Sequence, residues 1–419
     1  GRAIPPTSKE VGFFAHRIMK AQQIKPDIYW VGAIDWNMRD FHGYITPRGT
    51  TYNNFLIMDR KITLVDTVKY EFADVMFERI KRLTNPEKIE VGICNHVEMD
   101  HAGSWDKIIH VAKNMTLYTT ERGMEGLDKH FDTTGWDIQV VKTGDEIKTG
   151  EKTLQFIETP MLHWPDSMMT YIPEDKLLIS QDAFGQHWAQ AVLFDDRIPQ
   201  EDFDDAVLDY YANILMPFGN LIKAKIAEIQ KLGLEIDMIA PDHGVILRKN
   251  PLKVLNMYLD MANGKAEEGV VIVYDTMWHS TEMMSRGIQD GIIDEDMYVE
   301  VLKLRETARS TAIKKFWKYR GILVGTPTLN NLMFPTIAEF LYSLRGLRPS
   351  GRIASAFGSY GWGGGAVSEA LNALKSMKLE VVEPGFELKY RPKKEDYRDG
   401  YEFGKLFAQK VREYHKKFE

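Results

Sequence analysis

The sequence predicts an α/β fold in two parts, an N-terminal layered framework and a C-terminal doubly wound parallel sheet. Three observations lead there. From Asp27 to about Asp260, short apolar strands alternate with turns and helices. A polar stretch with two glycines, Ala262-Asn263-Gly264-Lys265-Ala266-Glu267-Glu268-Gly269, then interrupts the pattern. Beyond it, strongly apolar strands run into loops rich in Gly, Ser, Thr or Asn. The domains expected are therefore 1–262 and 269–419, joined by a linker at 263–268.

In the first part, Ile28-Tyr29-Trp30-Val31, Tyr52 to Met58 and Ile62-Thr63-Leu64-Val65 read as strands, and Phe72 to Leu83 has helical spacing. The β-branched run Ile89-Glu90-Val91-Gly92-Ile93-Cys94 is a buried strand. It delivers Asn95-His96-Val97-Glu98-Met99-Asp100-His101, with five groups able to bind a metal or a proton within seven residues. His96, Glu98 and Asp100 alternate, so an extended chain would point all three the same way. Desolvating so many polar groups together is costly unless a cation compensates them. Further ligand-type residues follow other strands. Leu154 to Ile157 precedes His163, Leu177 to Ser180 runs into Asp182, and Ile236 to Ala240 runs into Asp242 and His243. Taken singly, His163 and His243 read as loop histidines as readily as ligands, and Asp182 reads as a cap. Four occurrences of one arrangement make a joint metal site the better reading, because loops leaving one edge of a sheet converge. The donor set leaves iron and zinc open, and with zinc a hydrolase.

The pattern His-x-Glu-x-Asp-His, then a distant His, an Asp and a His, resembles the metallo-β-lactamase fold as used by flavodiiron proteins (A-type flavoproteins), over roughly residues 20–260. The resemblance implies an αββα sandwich with a dinuclear iron site. His96, Glu98 and His163 would bind one iron, Asp100, His101 and His243 the other, and Asp182 would bridge them. It also implies that His42 in Phe41-His42-Gly43-Tyr44 lies over the open face of the metals, and that Tyr210 of Tyr210-Tyr211 lies near the substrate pocket. Read without the resemblance, His42 is a loop histidine and the two tyrosines are core residues. Trp164 and Phe184, each beside a ligand, would keep the pocket apolar and open to a small uncharged gas.

In the second part, Val270 to Tyr274 reads as a fully buried parallel strand. It ends in Asp275-Thr276-Met277-Trp278-His279-Ser280-Thr281, where a strand-to-helix turn offers hydroxyls and backbone N–H groups to a phosphate without Lys or Arg. The strands Ile322 to Gly325 and Ile353 to Phe357 end in loops containing Pro327-Thr328-Leu329-Asn330 and Ser359-Tyr360-Gly361-Trp362-Gly363. Leu379 to Val382 adds a strand, and a basic helix from about Glu395 follows. Neither a P-loop nor a strand-following G-x-G-x-x-G is present. The three loops resemble those of flavodoxin over about residues 268–419. That resemblance implies FMN, with its phosphate on Thr276, Met277, Trp278, Ser280 and Thr281, and its ring flanked by residues 327–330 and 359–363.

Composition narrows the function. The charge of −7 disfavours nucleic acid, and with no 18-residue apolar run and no signal-peptide pattern a cytoplasmic protein outside the membrane is expected. Cys94, the only cysteine, excludes a disulfide, a Cys-ligated zinc and a rubredoxin or iron–sulfur centre within this sequence. A flavin has no evident use beside a redox-silent zinc ion, whereas two irons can store the electrons it passes on. The expectation is a flavodiiron oxidoreductase that reduces O2 to water, with NO reduction to N2O as the alternative on the same parts. A zinc metallohydrolase with a flavodoxin-like assembly domain stands behind both. The donor would be external, rubredoxin or reduced coenzyme F420. The resemblance further implies a head-to-tail homodimer, often paired into tetramers, with each FMN facing the partner chain's metals.

Overall fold

The computed structural model describes residues 20–418. The chain divides into two compact units. One holds residues up to Arg39, Thr46–Val207 and Ala224–Leu255, and the other holds Asp40–Ile45, Leu208–Lys223 and the chain from Asn256 onward.

Two sheets make the first unit. The seven-stranded one runs in the order Gln22–Lys25, Ile28–Trp30, Phe55–Ile57, Ile62–Val65, Ile89–Ile93, Thr116–Thr119, Asp137–Val140. The five-stranded one runs in the order Glu146–Lys148, Thr153–Glu158, Met168–Ile172, Leu177–Gln181, Met238–Pro241. Period-two alternation sorts each strand's residues between faces. Phe55 and Ile57 join Val65, Ile93, Phe156 and Ile179 in a core shared by the two sheets. Leu56 and Leu64 point the other way, onto Met76, Ile80, Trp105 and Ile108 of the covering helices. The strands from Ile62 to Val140 in the first sheet are parallel, as are Leu177–Gln181 and Met238–Pro241 in the second. Their carboxyl ends therefore release loops at common edges, which is what assembles the site.

One strand expectation is corrected. Tyr52 to Met58 is not continuous: Thr50–Tyr52 and Phe55–Ile57 belong to different sheets. The break falls at Asn53 and Asn54, both fully buried. The Asn53 amide donates to the carbonyls of Pro241 and Gly244, which a regular ladder would not allow. That diversion ties the break to the loop carrying His243.

The second unit carries a parallel sheet in the order Val299–Lys303, Glu267–Tyr274, Tyr319–Gly325, Ile353–Tyr360, Glu380–Val381, with Phe386–Lys389 also paired to Ile353–Tyr360. This is the flavodoxin-like order, whose switch point lies where the first and third strands part. Its first strand starts at Glu267, inside the stretch expected as linker. Ser359 and Tyr360, expected in a loop, complete the fourth strand. The closing helix, Lys394–His415, sets Phe407, Ala408 and Val411 against Ile288 and Ile292 of the helix Ser280–Asp294.

Candidate functional site

The strand ends of the first unit bring together all seven predicted ligands. His96, Glu98, His163 and Asp182 form one group, and Asp100, His101 and His243 a second, with one donor atom from each member within 4.8 Å of the others in its group. Asp182 faces both. Its Oδ2 lies 2.9 Å from His163 Nε2 and 3.6 Å from His96 Nε2, while its Oδ1 lies 2.9 Å from His101 Nε2 and 3.4 Å from His243 Nε2. Glu98 Oε2 stands 3.2 Å from His96 Nε2 and 3.3 Å from His163 Nε2, and the two Asp100 oxygens lie 3.4 and 3.2 Å from His101 and His243.

The local backbone differs from the extended run that the alternation suggested. Glu98 is extended, but Met99–Ala102 is already a helical turn. The turn divides the motif, sending His96 and Glu98 to one group and Asp100 and His101 to the other. Asp182 follows Gln181, whose φ of 49° is uncommon for a residue with a side chain. The Gln181 side chain holds that turn, accepting from Asp182 N at 2.6 Å and donating to Leu162 O at 2.6 Å. After His243, Gly244 has φ 80°, and a Cβ there would meet Gln186 Oε1 at 2.3 Å, so glycine is required.

The site's chemistry fits a pair of cations. Both Asp100 oxygens and Asp182 Oδ1 are buried without a hydrogen bond from any described residue, although imidazole nitrogens stand 2.9 to 3.4 Å away. Donor atoms gathered this closely but not aligned for hydrogen bonding are what shared metal ions require. The histidines are also held from behind. His96 Nδ1 is 2.9 Å from Asp166 Oδ2, which also accepts from Val97 N at 2.8 Å. His243 Nδ1 lies 2.6 Å from Thr51 O, whereas His101 Nδ1 stands 3.3 Å from Asp242 Oδ2 without a hydrogen bond among the described residues. Such outer partners fix the ring orientation and leave Nε2 for a metal. Asp66 anchors the start of the motif, accepting from the Asn95 backbone and side-chain nitrogens at 2.7 Å each.

Without a metal, protons must balance these carboxylates. Burial alone depresses a histidine, but hydrogen bonding to Asp182 and Glu98 outweighs it and lifts His163 to about 9. Burial is likewise overcome at His96 by Asp166 and Glu98, and at His101 by Asp100 and Asp182, so both rings stand well above the usual range. For Asp182, burial acts upward, yet His101 and His163 hold the carboxyl well below its usual value.

Several supporting groups escaped the sequence reading. His187 is buried with Nδ1 2.9 Å from Thr50 Oγ1 and its ring 4.5 Å from that of His243. Burial and His243 hold it well below the usual histidine range, so it is neutral. Nothing in Gln186-His187-Trp188 marked it. Asp66 did carry a signal, since it follows Ile62–Val65 as the predicted ligands follow their strands. His42 is exposed at the turn of the Asp40–Ile45 hairpin, which belongs to the second unit. Tyr210 is buried where the helix Gln200–Tyr210 passes into the π-helical turn Tyr211–Leu215, also outside the seven-residue cluster. Trp164 does stand beside the ligands, its ring edge-on to His96 at 5.2 Å. Phe184 is buried, with φ 70°.

In the second unit, a cavity of about 590 Å³ opens at the strand ends. It is lined by Thr276, Met277, Trp278 and Ser280, by Pro327, Thr328, Leu329 and Asn330, and by Ser359, Tyr360, Gly361, Trp362 and Gly363. Asn331 and Tyr390 line it as well and were not foreseen. Thr281 lies behind this lining, in the first turn of Ser280–Asp294. The buried hydroxyls of Thr276 and Thr281 have no hydrogen-bond partner among the described residues, as an anion-binding turn would leave them. Trp278 is 86% and Trp362 93% exposed, large apolar surfaces that a flat aromatic ring would cover. Both features fit FMN.

Comparison with known proteins agrees with this division. The ODP family beta lactamase model matches residues 50–244 and the flavodoxin model residues 272–404. A nitric oxide reductase of Moorella thermoacetica is 44% identical over 93% of this chain and 98% of its own length. The structure of rubredoxin oxygen:oxidoreductase from Desulfovibrio gigas superposes with a TM-score of 0.92 at 36% identity, covering 94% of this chain and 99% of that one. The flavodiiron protein from Giardia intestinalis gives a TM-score of 0.93 at 31% identity, covering 96% and 99%. Its two domains, in this order and at this similarity, make the chain a member of the flavodiiron family: an oxidoreductase whose flavodoxin domain implies FMN and whose relatives carry a diiron site.

Proposed function

We propose that this protein is a terminal reductase that takes electrons from an external donor and reduces O2 to water, consuming four electrons and four protons per O2. The observation that carries it is Asp182, one carboxylate with an oxygen turned toward each of two ligand groups. His96, Glu98 and His163 would hold one iron, Asp100, His101 and His243 the other, and Asp182 both. When bound, the two irons and FMN supply the stored electrons and the Lewis acidity that O–O cleavage needs. The chain's own contribution is to hold three carboxylates among buried imidazoles, fix the His96 and His243 rings through Asp166 and Thr51, and keep bulk water from the ligands. His42 and Tyr210 are assigned to the substrate side on the family pattern, with His42, an exposed imidazole, as proton donor.

A second reading shares the same parts. Reduction of two NO to N2O and water takes two electrons and two protons, and the Moorella relative carries that activity in its name. For the donor, the name of the Desulfovibrio relative favours a rubredoxin-like protein, with reduced F420 as the other choice. The assembly proposed is a head-to-tail homodimer, or a tetramer made of two such dimers, located in the cytoplasm. Among the described residues, no helix is long and apolar enough to cross a membrane.

The test is anaerobic purification followed by elemental analysis and rapid mixing. Flavin and two irons per chain, with the reduced flavin re-oxidised on adding O2, are expected. Iron-free protein, or a flavin that stays reduced in both O2 and NO, overturns the proposal. Comparing rates with the two gases decides between the readings.

A further inference from the structure

Among the described residues, the flavin cavity has no basic residue in its lining, yet a buried carboxylate stands directly behind its phosphate turn. Asp275 directly follows the strand Glu267–Tyr274, is fully buried, and is absent from the cavity wall. Its Oδ1 accepts from Thr276 N at 2.7 Å, engaging the first amide of the turn. A carboxylate in that position would repel a phosphate dianion across little intervening water. Two groups counter it. Arg305 Nε lies 2.9 Å from Asp275 Oδ1, and Thr336 Oγ1 donates to Oδ2 at 2.6 Å. The same guanidinium donates through NH2 to Thr276 O at 2.6 Å, so it grips both the carboxylate and the next peptide. Arg305 and Thr336 line a separate, neighbouring cavity and not the flavin one.

We infer that Arg305, with Thr336, is a positioning residue for the flavin phosphate. It neutralises Asp275 and turns the Thr276 carbonyl backward, so that the following amides face the cavity, with the Thr276 and Thr281 hydroxyls buried behind them. The isoalloxazine end is flanked by other loops, so this device distinguishes the phosphorylated flavin from the unphosphorylated one. The inference rests on the FMN assignment and adds the group that makes a turn without Lys or Arg lining accept a dianion.

The test removes flavin from full-length protein and titrates FMN and riboflavin separately, following quenching of flavin fluorescence. Arg305→Ala should weaken FMN about tenfold to a hundredfold, the cost of losing a charge-assisted contact, and leave riboflavin unchanged. Thr336→Val, nearly isosteric, should weaken FMN about threefold to tenfold with riboflavin again unchanged. FMN affinity unaltered in both variants, or equal loss of FMN and riboflavin in both, overturns the inference. Wild-type protein that fails to bind FMN overturns instead the cofactor assignment on which it rests.

Discussion

The metal cluster and the flavin cavity both form at strand ends of an α/β unit, but from opposite materials. The cluster is made of ionisable side chains that are almost fully buried, with His96 and His243 backed by Asp166 and Thr51. The cavity is made of backbone, hydroxyls and exposed aromatics, with neither acid nor base in its lining. A small, highly charged ion is held by directed lone pairs, so its site must be rigid and desolvated before the ion arrives. A large planar cofactor with one charged end is held by area and by many weak N–H and O–H donors, so its site can stay open. The first kind of site should fail abruptly on losing one atom, and the second gradually.

The sharpest break in that contrast is Asp182→Ala. Removing the one carboxylate that faces both groups should lower iron to near zero and abolish gas reduction, while flavin absorbance stays at wild-type level. Glu98→Ala touches only one group and should strip one iron, stop turnover and leave FMN bound. Elemental analysis beside the visible spectrum reads both. A variant of Asp182 that keeps two irons would show that the groups are held independently. One step outward, Asp166→Asn should keep the ring of His96 in place but weaken its anionic support, lowering metal affinity about tenfold to a hundredfold, as measured by competition with a chelator.

The same contrast explains what was legible in the sequence. All seven residues of the cluster could be read as candidate ligands, because strands that end at one edge repeat the pattern of apolar run followed by donor. Applied once more, that rule would also have yielded Asp66. The outer partners could not be read this way. Thr50 and Thr51 lie in a short strand of a separate sheet, and His187 meets Thr50 across 137 residues, so no local spacing records either contact. Alternation also misled at Asp100, where a helical turn replaced the extended chain. In the flavin unit the apolar strands gave the topology, and the topology located the loops. Tyr390 was missed because it follows the short edge strand Phe386–Lys389, whose weak apolar pattern, Phe-Glu-Leu-Lys, announces no core strand.

Gradual failure is expected on the flavin side. Thr281→Val deletes a buried hydroxyl that has no partner among the described residues and stands in the first turn of the helix that follows the phosphate loop. FMN affinity should fall about tenfold, with iron content unchanged. Loss of iron in this variant would mean that the two sites are coupled through folding and would weaken the contrast.

The smallest effect concerns protons standing in for metal. His163 is lifted to about 9 in the folded, metal-free protein, against about 6.5 in an unfolded chain. A raised folded value means that folding takes up a proton, so the stabilisation is complete below about pH 6.5 and is lost as pH climbs through about 9. His96 and His101, also raised, act in the same direction. Iron binding must expel these protons, because the ligating nitrogens need their lone pairs. Metal-stripped protein should therefore lose, between pH 6.5 and 9.5, on the order of a few degrees of Tm more than iron-loaded protein. Lysines and tyrosines that titrate alike in both forms cancel in the difference. Parallel Tm curves for the two forms would mean that the carboxylates, and not the imidazoles, carry the protons in the metal-free state, and the cluster would then be less rigid before metal arrives than its geometry implies.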